Sequence, residues 1–363
     1  MKVASLFSGC GGLDLGFTSA GFKLVYANDN DPSIWETFEK NHRIPIDKRS
    51  LLDVKSEEIP DADGIIGGPP CQSWSLAGAM RGVKDERGRL FYEYVRVLRD
   101  RRPKFFLAEN VPGILSSTHI REFKRIIAKL ASLGYDVDYE VVDARNYGVP
   151  QERSRVIIVG YHKSLGLHFT FPPPTHTKTK MVTLDGRKTS RWVTLKETIG
   201  DLPEPVPGRD KNKANGNLTV PNHEYMTGGF SSIYMSRNRK KSWNEQSYTI
   251  QAGGRHAPLH PSSTEMMKVE EDKWTFRSDT PVYRRLSVRE CARIQTFPDN
   301  FMFYYTNIAD GYKMVGNAVP VKLAQAIAKK IKSDLKTSEQ RNVIEIERLE
   351  KTPGIERRQS GSI

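Results

Sequence analysis

From residue 1 to about residue 160 the chain alternates short apolar runs with amphipathic stretches, and few architectures accept that rhythm. Apolar runs too short for helices, separated by stretches with helical spacing, are the pattern of βα units, which place a mainly parallel sheet under two layers of helix. The candidate strands are Val3 to Phe7, Leu24 to Ala27, Gly64 to Ile66, Phe105 to Ala108, Tyr139 to Val142 and Val156 to Gly160. Helical spacing is clearest at Phe91, Val95 and Leu98, and again at Phe123, Ile126, Ile127 and Leu130, each set facing one side. The fold class this predicts is α/β, a doubly wound sheet.

After Phe171-Pro172-Pro173-Pro174 the texture changes, and Gly, Pro, Ser, Thr and Asn dominate to about residue 280. Order returns with Arg284 to Gln295 and with Val321, Leu323, Ala324, Ile327, Ala328 and Ile331, an amphipathic helix able to pack back on the first sheet. The expected organisation is therefore residues 1–170 completed by 284–336, a smaller region at 171–283, and a charged tail at 337–363. The chain carries 56 Lys+Arg against 43 Asp+Glu, a net charge of +13, which points to an anionic partner. Residues 175 to 260 hold 14 Lys+Arg against 7 Asp+Glu, so over half of that surplus belongs to the smaller region.

With 37% apolar residues, wholesale disorder is excluded. No run approaches the ~18 uncharged apolar residues of a membrane span, and the start is too short in apolar residues for a signal peptide. The expectation is a cytoplasmic protein with no membrane partner. The three cysteines, Cys10, Cys71 and Cys291, lack Cys-x-x-Cys spacing, which argues against a disulfide framework or a zinc site; no metal is expected.

The first strand runs into Ser8-Gly9-Cys10-Gly11-Gly12-Leu13-Asp14, a glycine turn between strand and helix, where nucleotide-like ligands sit. Asp29, at the end of the next strand, is placed to hold a ribose hydroxyl pair. A dinucleotide fingerprint wants a third glycine where this chain has Asp14, which favours another adenosyl ligand over NAD or FAD. Downstream, Gly67-Gly68-Pro69-Pro70-Cys71-Gln72 follows a strand with a rigid turn that would display Cys71 at the carboxyl edge of the sheet, as a nucleophile requires. Cys10 and Cys291 fit buried, inert thiols better. The next strand ends in Glu109-Asn110-Val111, bringing a carboxyl to the same edge, as a helix cap or as a reactive group. Arg153 and Arg155, two apart in the run that leads into another strand, would point the same way, a pairing that suits phosphate or a base carbonyl, or a solvated charge run.

Six segments occur in order: Phe7-Ser8-Gly9-Cys10-Gly11-Gly12, Pro69-Pro70-Cys71-Gln72, Glu109-Asn110-Val111, Gln151-Glu152-Arg153-Ser154-Arg155, Arg285-Leu286-Ser287-Val288-Arg289-Glu290 and Gly316-Asn317-Ala318-Val319-Pro320. Together they resemble the motif series of the DNA (cytosine-5)-methyltransferases over residues 1 to 333, with the basic insert before the last two. The resemblance implies a Rossmann-like AdoMet-dependent methyltransferase fold with a small, irregular target-recognition domain, and double-stranded DNA between them. It implies S-adenosyl-L-methionine as methyl donor, a cytosine turned out of the duplex, and a single copy of the chain acting in a restriction-modification system beside an endonuclease it need not touch.

By the same resemblance Cys71 adds to carbon 6 of cytosine, Glu109 hydrogen-bonds the base, Arg155 contacts the base edge or backbone, and Arg153 with Gln151 supports it. Phe7, Ser8, Gly9, Gly11, Gly12, Asp29, Pro70, Leu90, Asn317 and Ala318 are the implied cofactor residues. Two positions depart from the pattern: Asn30 stands where relatives often carry an aromatic residue against adenine, and Ser50, with Asp47 and Asp53 nearby, where they carry an aspartate for the adenine amine. Residues from Pro221 to Arg255 resemble the target region of GGCC-recognising bacterial modification enzymes. Arg237, Arg239 and Arg255 are accordingly expected to read guanines, and Lys240 and Lys241 to grip phosphates. A tRNA-methylating branch shares the catalytic motifs, but its Cys-Phe-Thr signature is missing here. A catalytically silent DNA-binding protein is disfavoured by the presence of Cys71, Glu109 and Arg155.

Overall fold

The computed structural model describes residues 1–70, 86–183, 186–216 and 218–351. Six strands, β1 (Lys2–Leu6), β2 (Lys23–Asn28), β3 (Gly64–Gly67), β4 (Phe105–Asn110), β5 (Tyr135–Asp143) and β6 (Ser154–His162), form one sheet in the order β2-β1-β3-β4-β6-β5. β1 to β4 pair in parallel, and the chain reverses its winding direction between β1 and β3, which opens a crevice at their carboxyl ends. The α/β expectation holds with one difference. β6 inserts antiparallel between β4 and β5, because the connection 144–153 is shorter than the dozen or so residues a parallel crossover needs. β5 also begins earlier than expected, since Asp136, Asp138 and Glu140 alternate with its apolar residues on this edge strand.

The helices are α1 (Gly12–Ser19), α2 (Trp35–His42), α3 (Glu86–Arg101), α4 (Ile120–Ser132), α5 (Leu195–Ile199), α6 (Val288–Ile294), α7 (Ile308–Asn317) and α8 (Val321–Lys351). Strand alternation splits the core across the two sheet faces: on β4, Phe105 and Leu107 join Phe17 of α1 and Ile327 of α8, whereas Phe106 and Ala108 join Phe91 of α3 and Ile126 of α4. The α1–α8 approach is close enough that a Cβ on Gly16 would lie 2.3 Å from the Ala324 Cβ. α8 thus packs on the α1 side of the sheet.

α8 does not fray near Thr337. Its buried stripe continues through Ile331, Leu335 and Ser338, and the Ser338 hydroxyl donates to the Leu165 carbonyl (3.3 Å). Of the mixed charges that suggested a tail, Lys336, Glu339 and Arg341 are exposed on the other faces of this helix. Residues 352–363 lie outside the described residues.

Between residues 171 and 283 the chain builds two-residue ladders, short helical turns and one hairpin, Met266–Glu270 against Lys273–Phe276. Its own core is small, with Tyr234, Leu259 and Met266 packed by Phe230, Trp274 and Phe276. Arginines of the Arg285 to Glu290 motif fasten it to the sheet domain. Fully buried Arg289 donates to the carbonyls of Pro221 (2.9 Å) and Phe301 (3.0 Å), and Arg285 to those of Gly228 and Gly229 (3.0 Å each). Among the described residues no helix is long and apolar enough to cross a membrane.

Candidate active site

The glycine turn leaves β1 through Phe7, a non-glycine residue in the left-handed region (φ 55°), followed by Gly9 and Gly11 with φ of 55° and 88°. A bulky residue held there costs about 1 kcal/mol or more, a strain that clusters at ligand sites. Gly9 is required for a different reason from Gly11. A Cβ on Gly9 would meet nothing within 4 Å, leaving its backbone open to the crevice, whereas one on Gly11 would lie 1.9 Å from Nε2 of His42. Burial lowers His42 to about 4, so a neutral ring supports the turn.

Asp29 ties this turn to the end of β2: its carboxylate accepts from the amides of Gly9 (2.8 Å) and Asp31 (2.9 Å). Burial pushes its carboxyl up, and those two amides pull it partly back. From the far end of the chain, α7 closes the other wall. The Cys10 thiol donates to the Met314 carbonyl (3.3 Å), and Lys313 pairs with Asp31 (2.6 Å). Cys10 and Cys291 are buried with thiols pushed up by desolvation, as inert cysteines are.

The result is a cavity of about 690 Å³ at the crevice between β1 and β3. Phe7, Ser8, Gly9, Gly12, Asp29, Pro70, Leu90, Asn317 and Ala318 line it, whereas Gly11 does not. Asn30 and Ser50 line it too, while Asp47 is held by Arg49 (2.7 Å) and by the Tyr26 hydroxyl (2.9 Å). Asp31 and Lys313 were missed at the sequence level, although a signal existed: Lys313 precedes Asn317 by one helical turn and so shares its face.

Glu109, at the end of β4, faces the same cavity, and Arg155 reaches it from β6. Arg155 Nε lies 2.8 Å from Glu109 Oε1, with each side chain only 12% exposed. The other oxygen, Oε2, faces Gly68, where a Cβ would stand 3.4 Å away. Asn110 donates to the Pro69 carbonyl (2.8 Å), fixing the turn that leads to Cys71. Cys71 itself lies outside the described residues.

Arg153 does not share Arg155's direction, and that expectation is corrected. It precedes β6 instead of alternating within it, is 1% exposed, and donates to the carbonyls of Ile250 (2.9 Å), Gly316 (2.8 Å) and Ala318 (2.9 Å). It cannot touch a substrate. Instead it locks the sheet, the basic segment and the last motif together.

In the basic segment Arg237 and Arg255 are exposed. Arg239 is not the free fork expected: 5% exposed, it donates Nε to the Tyr234 carbonyl (2.6 Å) and Nη2 to that of Ile233 (2.9 Å). Among the described residues its Nη1 has no hydrogen-bond partner. Lys240 and Lys241 also depart from expectation, because Lys240 pairs with Glu265 while Lys241 pairs with Glu152 (3.0 Å) and Glu245 (3.5 Å).

Residues 1–333 match the family model described as C-5 cytosine-specific DNA methylase. The chain belongs to that family. It is a DNA cytosine-5 methyltransferase, and its named relatives are Type II methyltransferases. It is 60% identical to the Type II methyltransferase M.MthTI of Methanothermobacter thermautotrophicus, over 92% of this chain and 98% of the relative. It is 48% identical to the Type II methyltransferase M.NgoPII of Neisseria gonorrhoeae, over 92% of this chain and 96% of the relative. Among solved structures, DNMT2 of Spodoptera frugiperda has the same fold, with a TM-score of 0.63 at 18% identity, covering 91% of this chain and 98% of that one. The AdoMet-dependent fold of the methyltransferases is therefore the fold of this chain.

Proposed function

We propose that this methyltransferase modifies carbon 5 of a cytosine turned out of a GGCC duplex site. In this reading residues 171–283 are the target-recognition domain, set against an AdoMet-binding domain made of 1–170 and 284–336. The observation that carries it is the buried Glu109–Arg155 pair in the wall of a glycine-turn cavity that also takes in Pro70, the residue before Cys71.

The cavity fits an adenosyl donor: the open face of Gly9 admits a ligand against the backbone, and Asp29 retains acceptor capacity for ribose hydroxyls. Ser50, not Asp47, is the candidate for the adenine amine. The donor supplies one electrophilic methyl group. Cytosine carbon 5 is too weak a nucleophile to take it while the ring is aromatic, so the Cys71 thiolate first adds to carbon 6. Glu109, held by Arg155 through Oε1, carries a proton on Oε2 that it donates to N3, and the same oxygen accepts from the exocyclic amine, so that charge developing in the ring is neutralised. With the methyl group on carbon 5, the carbon 5 proton leaves to a base, the sulfur–carbon 6 bond breaks, and the thiolate returns. Arg237 and Arg255 read guanines from exposed loops, and Arg239 offers them only its Nη1.

The enzyme would act as a monomer in the cytoplasm and protect host DNA from an endonuclease cutting at the same site. The test is transfer of labelled methyl groups to duplexes with GGCC, to duplexes with the site scrambled, and to tRNA. Transfer confined to GGCC duplexes and abolished by Cys71→Ser is the expected result. Transfer to scrambled duplexes removes the site assignment, and undiminished transfer by Cys71→Ser removes the covalent route.

A further inference from the structure

Asp14 stands in the first turn of α1, where a dinucleotide turn has its third glycine, and nothing in the chemistry above uses it. Its side chain is fully buried, and neither carboxyl oxygen accepts a hydrogen bond of ordinary geometry from any described residue. The most favourable neighbour is the Ser5 hydroxyl, whose oxygen in turn accepts from Ser8 (2.9 Å). The one ionisable group that acts on its charge disfavours it, Asp29 by repulsion, and Asp14 in turn helps to keep the Cys10 thiol protonated. Lys313, the cation in the cavity wall, is already bound to Asp31 (2.6 Å). Burial accordingly raises the Asp14 carboxyl to about 7.

A buried carboxyl whose only nearby donors are the Ser5 hydroxyl and its own amide, with no cation beside it, is an unfavourable choice for a position that glycine fills elsewhere, and such groups call for a specific use. Asp14 belongs to the lining of the same cavity as Gly9, Asp29 and Asn317. We propose that Asp14 is a binding residue for the methyl donor, its carboxylate accepting hydrogen bonds from the α-ammonium of the donor's methionine part. This rests on the reading of the cavity as the donor site. The ammonium brings the positive charge that the described residues withhold, and N–H donors stronger than the Ser5 hydroxyl. Binding then ionises Asp14, so a proton is released where the free enzyme still holds one, and affinity rises with pH up to about 7 and levels off above it.

The test is equilibrium binding to the full chain of S-adenosylhomocysteine and of its analogue with hydrogen in place of the α-amino group. Wild-type protein is expected to prefer the amino-bearing ligand by about 10- to 100-fold, the range of a charge-assisted hydrogen bond. Asp14→Asn should lose most of that preference and the pH dependence, while binding the analogue as wild type does. Without ligand at pH 8, Asp14→Asn should melt no lower than wild type, because a carboxyl with a raised pKa opposes folding once it is ionised. Equal binding of both ligands by wild type overturns the proposal without recourse to any variant, and so does full discrimination by Asp14→Asn. If wild type binds neither ligand, the placement of the donor in this cavity fails, and the role of Asp14 falls with it.

Discussion

The cavity wall and the basic segment use arginine in opposite ways. At the wall, Arg155 is almost enclosed and meets its carboxylate directly, in surroundings where water screens little. In the segment, Arg237 and Arg255 stand in solvent, and among the described residues neither fork has a hydrogen-bond or ion-pair partner. Between these extremes lies a third group, Arg153, Arg285 and Arg289, whose guanidiniums are bound to main-chain carbonyls and act as fasteners. A surplus of +13 therefore overstates the charge presented to an anionic partner. Position relative to carbonyls and carboxylates decides what each cation does.

That contrast can be broken in several places. The largest effect belongs to the wall: Glu109→Gln should lower the single-turnover methylation rate by about 10²- to 10⁴-fold, the range of a lost proton-handling group, with duplex affinity unchanged. Arg153→Ala should act on folding instead. Three carbonyls lose a charged donor, and a denaturant titration should show a loss of about 3 kcal/mol or more. If Arg153→Ala folds as well as wild type but turns over slowly, its assignment as a fastener is wrong. Arg255→Ala should narrow the affinity ratio between GGCC and mismatched duplexes by about 1–3 kcal/mol, read by competition binding. The smallest effect belongs to Lys240→Ala. Because Glu265 already neutralises this lysine, the salt slope of DNA binding should change by well under one counterion.

Much of this was legible in the residues. Six apolar runs gave six strands: the inner strands β1, β3, β4 and β6 are buried on both faces and leave continuous apolar stretches, whereas the half-exposed edge strand β5 showed only part of its length. The glycine turn and Glu109 followed from their places at strand ends, where the chain direction delivers them to one edge. The antiparallel entry of β6 was less visible, since direction depends on the length of a connection and not on the strand's own residues. The fate of individual cations was hidden for a similar reason. Lys240 is neutralised by Glu265 and Lys241 by Glu152, partners distant in sequence, and Arg239 by carbonyls, which every sequence contains and none advertises. The extension of α8 past Thr337 was masked because its exposed faces carry charges of both signs over a stripe of Ile331, Leu335 and Ser338.

The junction of Cys10 with Met314, and of Asp31 with Lys313, has a bearing on how the enzyme is made. The walls of the cavity come from opposite ends of the chain, with the whole basic segment synthesised between them. While the ribosome is still extending that segment, the first βα units can form, but the pocket has only one wall. Long-range closure of this kind is slow because the loop entropy is lost before the contacts form. The two walls of the cavity can therefore meet only after α7 has been made and has docked against the first glycine turn.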